Sequence, residues 1–233
     1  MMQDTLGKLI VFEGIDGSGK GTQTELLRTF LEHKGIAHKM LDFPQYDSFY
    51  GKIVAQFLRG EFGKLDEVSP YLAALTFALD RMAVKDTIIA DLQKGSLLIA
   101  NRYVSSNIAH QAGKFSDQSK RDVLIQWISD LEYSHHGLPH ENGVIYLRIT
   151  PEASRELTNA KGSRDYLKGK SHDIQEEDVR HQEQTFAMYE HLARSNNQWI
   201  TIECMDHGII RDRQAIHAEI CQKLNEAGII EHS

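Results

Sequence analysis

Short runs of β-branched and aromatic residues alternate along this chain with stretches whose apolar positions recur at helical spacing. The first run, residues 8–13, reads as a buried strand ending in a glycine turn. Behind it Leu26, Leu27, Phe30 and Leu31 define a helix that Gly35 stops. Residues 36–42 make a second strand, halted by Pro44, which has no N–H for a ladder. Ile53, Val54, Phe57 and Leu58 mark a helical excursion over 48–60, ended by Gly60 and Gly63. One long helix is predicted from the Ser69-Pro70 cap to Gly95, followed by a strand over 96–100. Val123, Leu124, Trp127, Ile128 and Leu131 share one side of a helix over 120–133. A strand over 143–149, helices from Thr150-Pro151 and over 173–195, a fifth strand over 199–204 and a last helix over 211–227 complete the pattern. Five strands alternating with helices predict one α/β domain over 1–233, an open parallel sheet with helices on both faces.

The first strand runs into Gly14-Ile15-Asp16-Gly17-Ser18-Gly19-Lys20, the spacing of a phosphate-binding loop spanning 14–22. A nucleotide's phosphates need several donors converging on a small volume, and glycines let backbone N–H groups turn inward. The helix that follows adds its unpaired N–H groups and positive dipole end, and Lys20 reaches for the β- and γ-phosphates. Gly21 stands where a serine or threonine hydroxyl would meet Mg²⁺, and Thr22 offers the nearest substitute.

Composition narrows the class without changing it. A chain of 233 residues, 41% hydrophobic and 25% charged, can bury a sizeable core. Its net charge of −7 argues against a nucleic-acid-binding face, so phosphate recognition is expected to be local. No apolar run is long enough to span a bilayer, no N-terminal signal is visible, and the cytoplasm is the expected compartment. Cys204 and Cys221 have no metal spacing and read as reduced packing residues.

Three further stretches carry chemistry. Phe77 and Arg81, four apart on the long helix, could grip a flat base with carbonyl oxygens. On spacing alone the plainer reading is preferred, with Phe77 in the core and Arg81 in a surface ion pair with Asp80 or Asp91. After the third strand, Arg102 offers a planar fork for phosphate and Asn107 an amide for a base edge, although the segment could simply cap the next helix. Lys161, Arg164, Lys168 and Lys170 cluster with Gly162 and Gly169, as a solvated loop would have them, or a lid over phosphates at 161–173.

In their order, Phe12-Glu13-Gly14 through Lys20, Phe43-Pro44, Phe77 to Arg81, and Arg102-Tyr103 followed by Ser106-Asn107 resemble the thymidylate kinases, P-loop nucleoside monophosphate kinases. The resemblance covers nearly the whole chain and implies transfer of the ATP γ-phosphate to dTMP, with Mg²⁺, in dTTP synthesis. It implies that Gly14, Gly17, Ser18, Gly19, Lys20, Gly21 and Thr22 hold ATP. Phe77 would stack on thymine, overturning the packing reading; Arg81 would bond its O4, and Asn107 and Ser106 would complete that side. Arg102 would hold the dTMP phosphate, with the Phe43-Pro44 turn beneath the nucleotide and Tyr46 beside its phosphate or sugar, in an excursion spanning 43–63. Asp16 would meet the 3′-hydroxyl and the metal, and Asp173 and Glu176 would lie near the deoxyribose and Mg²⁺, with Thr22 a further metal residue. The loop 205–208 would border adenine. With no arginine in the phosphate loop, the catalytic cation would come from the lid, Arg164 first, acting with Lys20, Arg102 and Asp16. Two departures stand out: Asn101 replaces the family's usual aspartate, and His110 stands where an aromatic ring usually crowds the sugar's 2′ position. The apolar helix over 72–92 and the resemblance both imply a homodimer.

Overall fold

The computed structural model describes residues 6–159, 167, 173–176 and 178–230. Five parallel strands form one sheet: β1 (Lys8–Glu13), β2 (His38–Asp42), β3 (Leu97–Asn101), β4 (Gly143–Arg148) and β5 (Trp199–Glu203), in the order β2-β3-β1-β4-β5. The near-continuous apolar sequences of β1, β3 and β4 suit strands covered on both faces, whereas the edge strand β2 is more polar and only partly buried. Leu9, Val11, Phe12, Ile99, Ala100, Ile145 and Leu147 have no exposed surface.

The chain leaves β1 in one direction, to β2, and makes its later crossovers in the other. Right-handed connections therefore put α1 (Lys20–His33) on one face and the intervening helices on the opposite one. The packing agrees: α1 lies against α9 (Arg213–Glu226), whereas α5 (Val104–Ala112) lies between α3 (Pro70–Met82) and α8 (Val179–Ser195).

Element types follow the sequence reading, but several boundaries move. The long helix predicted to run to Gly95 breaks at Ala83-Val84 into α3 and α4 (Lys85–Gln93), because Val84 leaves helical geometry at φ −113°, ψ 7°. The excursion is α2 (Phe49–Leu58), capped by Ser48 Oγ accepting from the Gly51 N–H. The amphipathic helix starts earlier, as α6 (Gln118–Ser129), and runs on as a π-helical turn, Asp130–His135. Helix α7 (Pro151–Asn159) begins as expected, but α8 starts at Val179 rather than 173, where the Asp178 carboxylate accepts from the His181 N–H. After β5 comes a hairpin absent from the sequence reading, β6 (Met205–Asp206) with β7 (Ile209–Ile210). Its turn places His207 and Gly208 both at positive φ, 47° and 80°.

Candidate active site

In an open α/β sheet, ligands bind beyond the carboxyl ends of the strands, and that is where the chemistry-bearing residues gather. After β1, Gly14 has φ +142°, and a Cβ there would lie 2.7 Å from the Leu147 carbonyl oxygen. At Gly17, φ is +80° and a Cβ would lie 2.6 Å from the Ser154 carbonyl oxygen. Backbone conformation and crowding thus both demand glycine. Lys20 opens α1, and its buried Nζ donates to the carbonyls of Gly14 (2.9 Å) and Ile15 (3.0 Å), so the amine lies over the loop with the helix N-terminus. Thr22 is exposed in the first turn of α1, and a Cβ at Gly21 would meet nothing within 4 Å. Nothing in the structure explains glycine at position 21.

Arg102 leaves β3 with φ +69°, its N–H donating to the Phe12 carbonyl (3.0 Å). Its guanidinium is tied to the Asp16 carboxylate (2.5 Å) and to Ser106 Oγ (3.1 Å). Burial opposes that charge, but the carboxylate of Asp16, then Tyr189 and Glu13, hold the proton firmly. Beneath it lies a group the sequence reading gave no role. Glu13, with no exposed surface, accepts from the N–H groups of Tyr103 (2.9 Å) and Ser106 (3.1 Å), from Ser106 Oγ (2.6 Å) and from the Tyr189 hydroxyl (2.8 Å).

A well-formed cavity of about 340 Å³ opens beside Arg102. Asp16, Phe43, Pro44, Tyr46, Phe77, Arg81, Arg102, Ser106, Asn107, His110 and Asp173 all line it, which brings together every residue expected on the monophosphate side. Phe77 presents its ring there, edge-on to Phe57 at 6.0 Å between centroids. The surface ion pair for Arg81 does not form. Arg81 is 2% exposed and grips the buried Glu132 with Nε (2.5 Å) and Nη2 (2.7 Å), while Asp91 pairs with Lys39 and Lys94. Asp80 instead accepts from the Gln45 N–H (2.9 Å) and Ser48 Oγ (3.1 Å), pinning the turn after the cis Phe43-Pro44 bond. Burial raises its carboxyl pKa above the ordinary range.

The cavity wall also includes residues the sequence did not single out for binding: Asp42, Leu58, Gln111 and Gln175. Gln111 is completely buried, one turn beyond Asn107 on α5, with neither amide atom hydrogen-bonded among the described residues. Its signal was present, since 107 and 111 share a helix face. The departure at Asn101 has a local explanation. Position 101 pairs in register with Asp42, and Asn101 Nδ2 donates to Asp42 Oδ1 (2.7 Å). An aspartate at 101 would set two carboxylates against each other.

A line of imidazoles runs back from Arg102. The guanidinium donates, so His110 Nε2 accepts (3.4 Å), and His110 Nδ1–H in turn faces His181 Nε2 (3.2 Å). Burial first, then the charges of Arg102 and His181, hold His110 neutral well below its ordinary pKa. For His181, burial and then the Lys114 charge depress the pKa from 6.5 to about 4. Above pH 6.5 folded and unfolded chains are both neutral at this residue, so it has no effect. Below that, the unfolded chain takes up a proton that the folded chain refuses until about pH 4. Acidification across this window should remove about 3 kcal/mol of stability through His181 alone. His181→Gln keeps an acceptor for His110 and does not titrate, so its acid loss in thermal unfolding should be shallower; parallel curves would exclude His181.

Asp173 lies in the cavity wall and Glu176 beside it, both buried, with Asp173 Oδ1 accepting from the N–H groups of Gln175 (2.8 Å) and Glu176 (2.9 Å). Burial, then the charges of Glu176 and Asp16, push the Asp173 carboxyl up to about 7. Among the described residues no group of three or more His, Cys, Asp or Glu is arranged to hold a metal by itself. Arg164, with Lys161, Lys168 and Lys170, lies outside the described residues. A second cleft, about 410 Å³, is lined by Thr150 and Ala153 and by Met205 and Gly208 of the hairpin. Ser154, one residue on, donates to the Asp16 carbonyl and so joins this side to the phosphate loop.

A parallel sheet in this strand order, with a glycine-rich loop and buried lysine between β1 and α1, defines a P-loop kinase fold. The thymidylate kinase of Candida albicans shares it, with a TM-score of 0.76 over 98% of this chain and 96% of that one, at 21% identity. In sequence, a thymidylate kinase of Mycobacterium tuberculosis is 32% identical over 197 residues, 83% of this chain and 90% of the relative. One from Plasmodium falciparum is 28% identical over 220 residues, 94% and 90%. The thymidylate kinase family model matches residues 12–212, and the chain belongs to that family of phosphotransferases. Among the described residues no helix is long and apolar enough to cross a membrane.

Proposed function

We propose that this enzyme transfers the γ-phosphate of ATP to dTMP. The observation that carries the reading is that a base-sized aromatic and polar wall (Phe77, Arg81, Asn107) and a phosphate fork (Arg102 on Asp16) line one cavity beside the phosphate loop. ATP phosphates take the loop N–H groups and Lys20, with adenine toward Met205 and Gly208. Thymine lies against Phe77 with its carbonyl edge toward Arg81 and Asn107, and Gln111 within the same wall. Arg102 holds the dTMP phosphate in line with the donor, Asp16 meets the 3′-hydroxyl, and Phe43, Pro44, Tyr46 and His110 enclose the sugar. No covalent intermediate is needed, because phosphoryl transfer depends on positioning and on neutralising charge.

Mg²⁺ fits this donor set as a hydrated ion with few protein contacts. Asp16 and Asp173 line the cavity, with Glu176 beside Asp173, and offer hard carboxylate oxygens; burial first, then the charges of Glu176 and Asp16, raises the Asp173 pKa. Bound there with the nucleotide, the ion would neutralise phosphate charge. The lid cation, Arg164 first, extends the same role. A homodimer is proposed across the α3–α6 surface, where Tyr71 packs edge-on against Trp127 and the adjacent Leu72 and Val123 are 62% and 58% exposed. We assign the work to the cytoplasm, where two unpaired cysteines are at home.

The test is a coupled ADP-release assay with ATP, excess Mg²⁺ and dTMP, dUMP, dCMP, dGMP or thymidine in turn. Strong preference for dTMP is expected. Equal rates with dCMP, or preference for unphosphorylated thymidine, would overturn the base or phosphate assignment respectively.

A further inference from the structure

Glu132 belongs to no motif, yet it organises the base-facing wall. It has no exposed surface and sits in the π-helical turn, a local distortion that recurs at functional sites because it re-aims a side chain. One carboxylate oxygen, Oε2, accepts from Arg81 Nε. The other, Oε1, accepts from both Arg81 Nη2 (2.7 Å) and Asn107 Nδ2 (2.8 Å). The second N–H of the Asn107 amide goes to the Ala74 carbonyl (3.0 Å).

This count fixes the polarity of Arg81 and Asn107. Both donors of Asn107 are consumed, so its amide cannot turn over, and Oδ1 is left buried with no partner among the described residues. Two of the five Arg81 N–H groups are taken by Glu132, leaving donors on Nη1 and the second N–H of Nη2 and no acceptor. Arg81 and Asn107 therefore present an ordered pair, donors from Arg81 beside an acceptor from Asn107, while the Gln111 amide in the same wall, unbonded among the described residues, can turn either way. That pair matches a carbonyl beside a ring N–H, the imide edge of thymine and uracil. A 4-aminopyrimidine presents the reverse, an amino donor beside a ring-nitrogen acceptor. Buried groups left unpaired by the wrong edge reject it strongly.

We propose that Glu132 is a positioning residue that sets this hydrogen-bond polarity and so makes the cavity select an imide edge over an aminopyrimidine edge. The inference rests on the dTMP kinase reading and goes beyond it, since Glu132 lies behind the residues that would touch the base.

The test is Glu132→Gln, assayed with dTMP and dCMP at varied ATP. A carboxamide has one acceptor oxygen in place of two, so Asn107 can turn its amide and present N–H to the base. KM for dTMP should rise about tenfold, KM for ATP should stay within about threefold, and the dTMP-to-dCMP ratio of kcat/KM should fall at least about tenfold. A purely structural role predicts equal losses with both nucleotides, and an unchanged ratio overturns the proposal. If Glu132→Gln does not fold, Glu132→Asp decides: it keeps the charge but withdraws it by one methylene. A fall in the ratio of about threefold or more supports the lock, and an unchanged ratio removes it. Wild-type enzyme that does not prefer dTMP would overturn the underlying function instead, so the two failures are distinguishable.

Discussion

Arg102→Ala and Arg102→Gly should lose turnover alike, while the glycine variant is the more stable of the two. The activity loss follows from the fork that Asp16 and Ser106 hold over the cavity. Removing one preorganised donor from a developing charge typically lowers rate by about 10²–10³-fold, and Arg102 supplies two nitrogens. Lysine, a point charge without the fork, should recover only part of it. The stability difference has a separate origin. At φ +69° the Arg102 backbone is left-handed, which costs an L-residue about 1–2 kcal/mol and glycine almost nothing. Thermal unfolding should place the glycine variant about 2–6 °C above the alanine variant. Equal midpoints would deny the strain, and turnover within tenfold of wild type in either variant would deny Arg102 its phosphate.

That strain has a structural cause. Arg102 N–H bonds the end of β1, and the next N–H, on Tyr103, bonds Glu13. The chain must therefore turn sharply between β3 and α5, and the turn aims the arginine at Asp16 rather than along the sheet.

The sequence carried the layered pattern because strand and helix periods are local properties, and all five strands lie within or close to the stretches predicted for them. Position 81 illustrates what local pattern lacks. Its partner, Glu132, is 51 residues away in a turn of rare geometry, so only the fold could reveal that Arg81 is buried rather than surface-paired. Asp80 was likewise legible as a charge but not as the clamp on the turn at Gln45 and Ser48. The split between α3 and α4 left no proline or glycine to mark it, and the hairpin strands at Met205–Asp206 and Ile209–Ile210 are too short for periodicity. Residues named by resemblance fared otherwise: eleven of them surround one cavity, because a shared motif carries three-dimensional information that spacing does not.

Glu13→Ala should be the most destabilising single change at this site. The carboxylate is fully buried at the end of the central strand and accepts four hydrogen bonds, from two N–H groups and two hydroxyls. Alanine leaves the Tyr103 and Ser106 N–H groups with no acceptor at the start of α5. Breaking a buried charged network by removing one member costs about 3–5 kcal/mol, a large part of an ordinary domain's stability. Glutamine separates hydrogen bonding from charge. Its oxygen can still accept from both N–H groups, and its amide can donate to Ser106 Oγ or Tyr189, since either hydroxyl can accept. Glu13→Gln should therefore lose only about 1–2 kcal/mol, in line with single buried hydrogen bonds. Urea unfolding of both variants measures this. Because Ser106 Oγ also takes a bond from Arg102, even the folded glutamine variant should show lower kcat, with the phosphate fork loosened at its base. Alanine no more destabilising than glutamine would show that the two N–H groups find another acceptor.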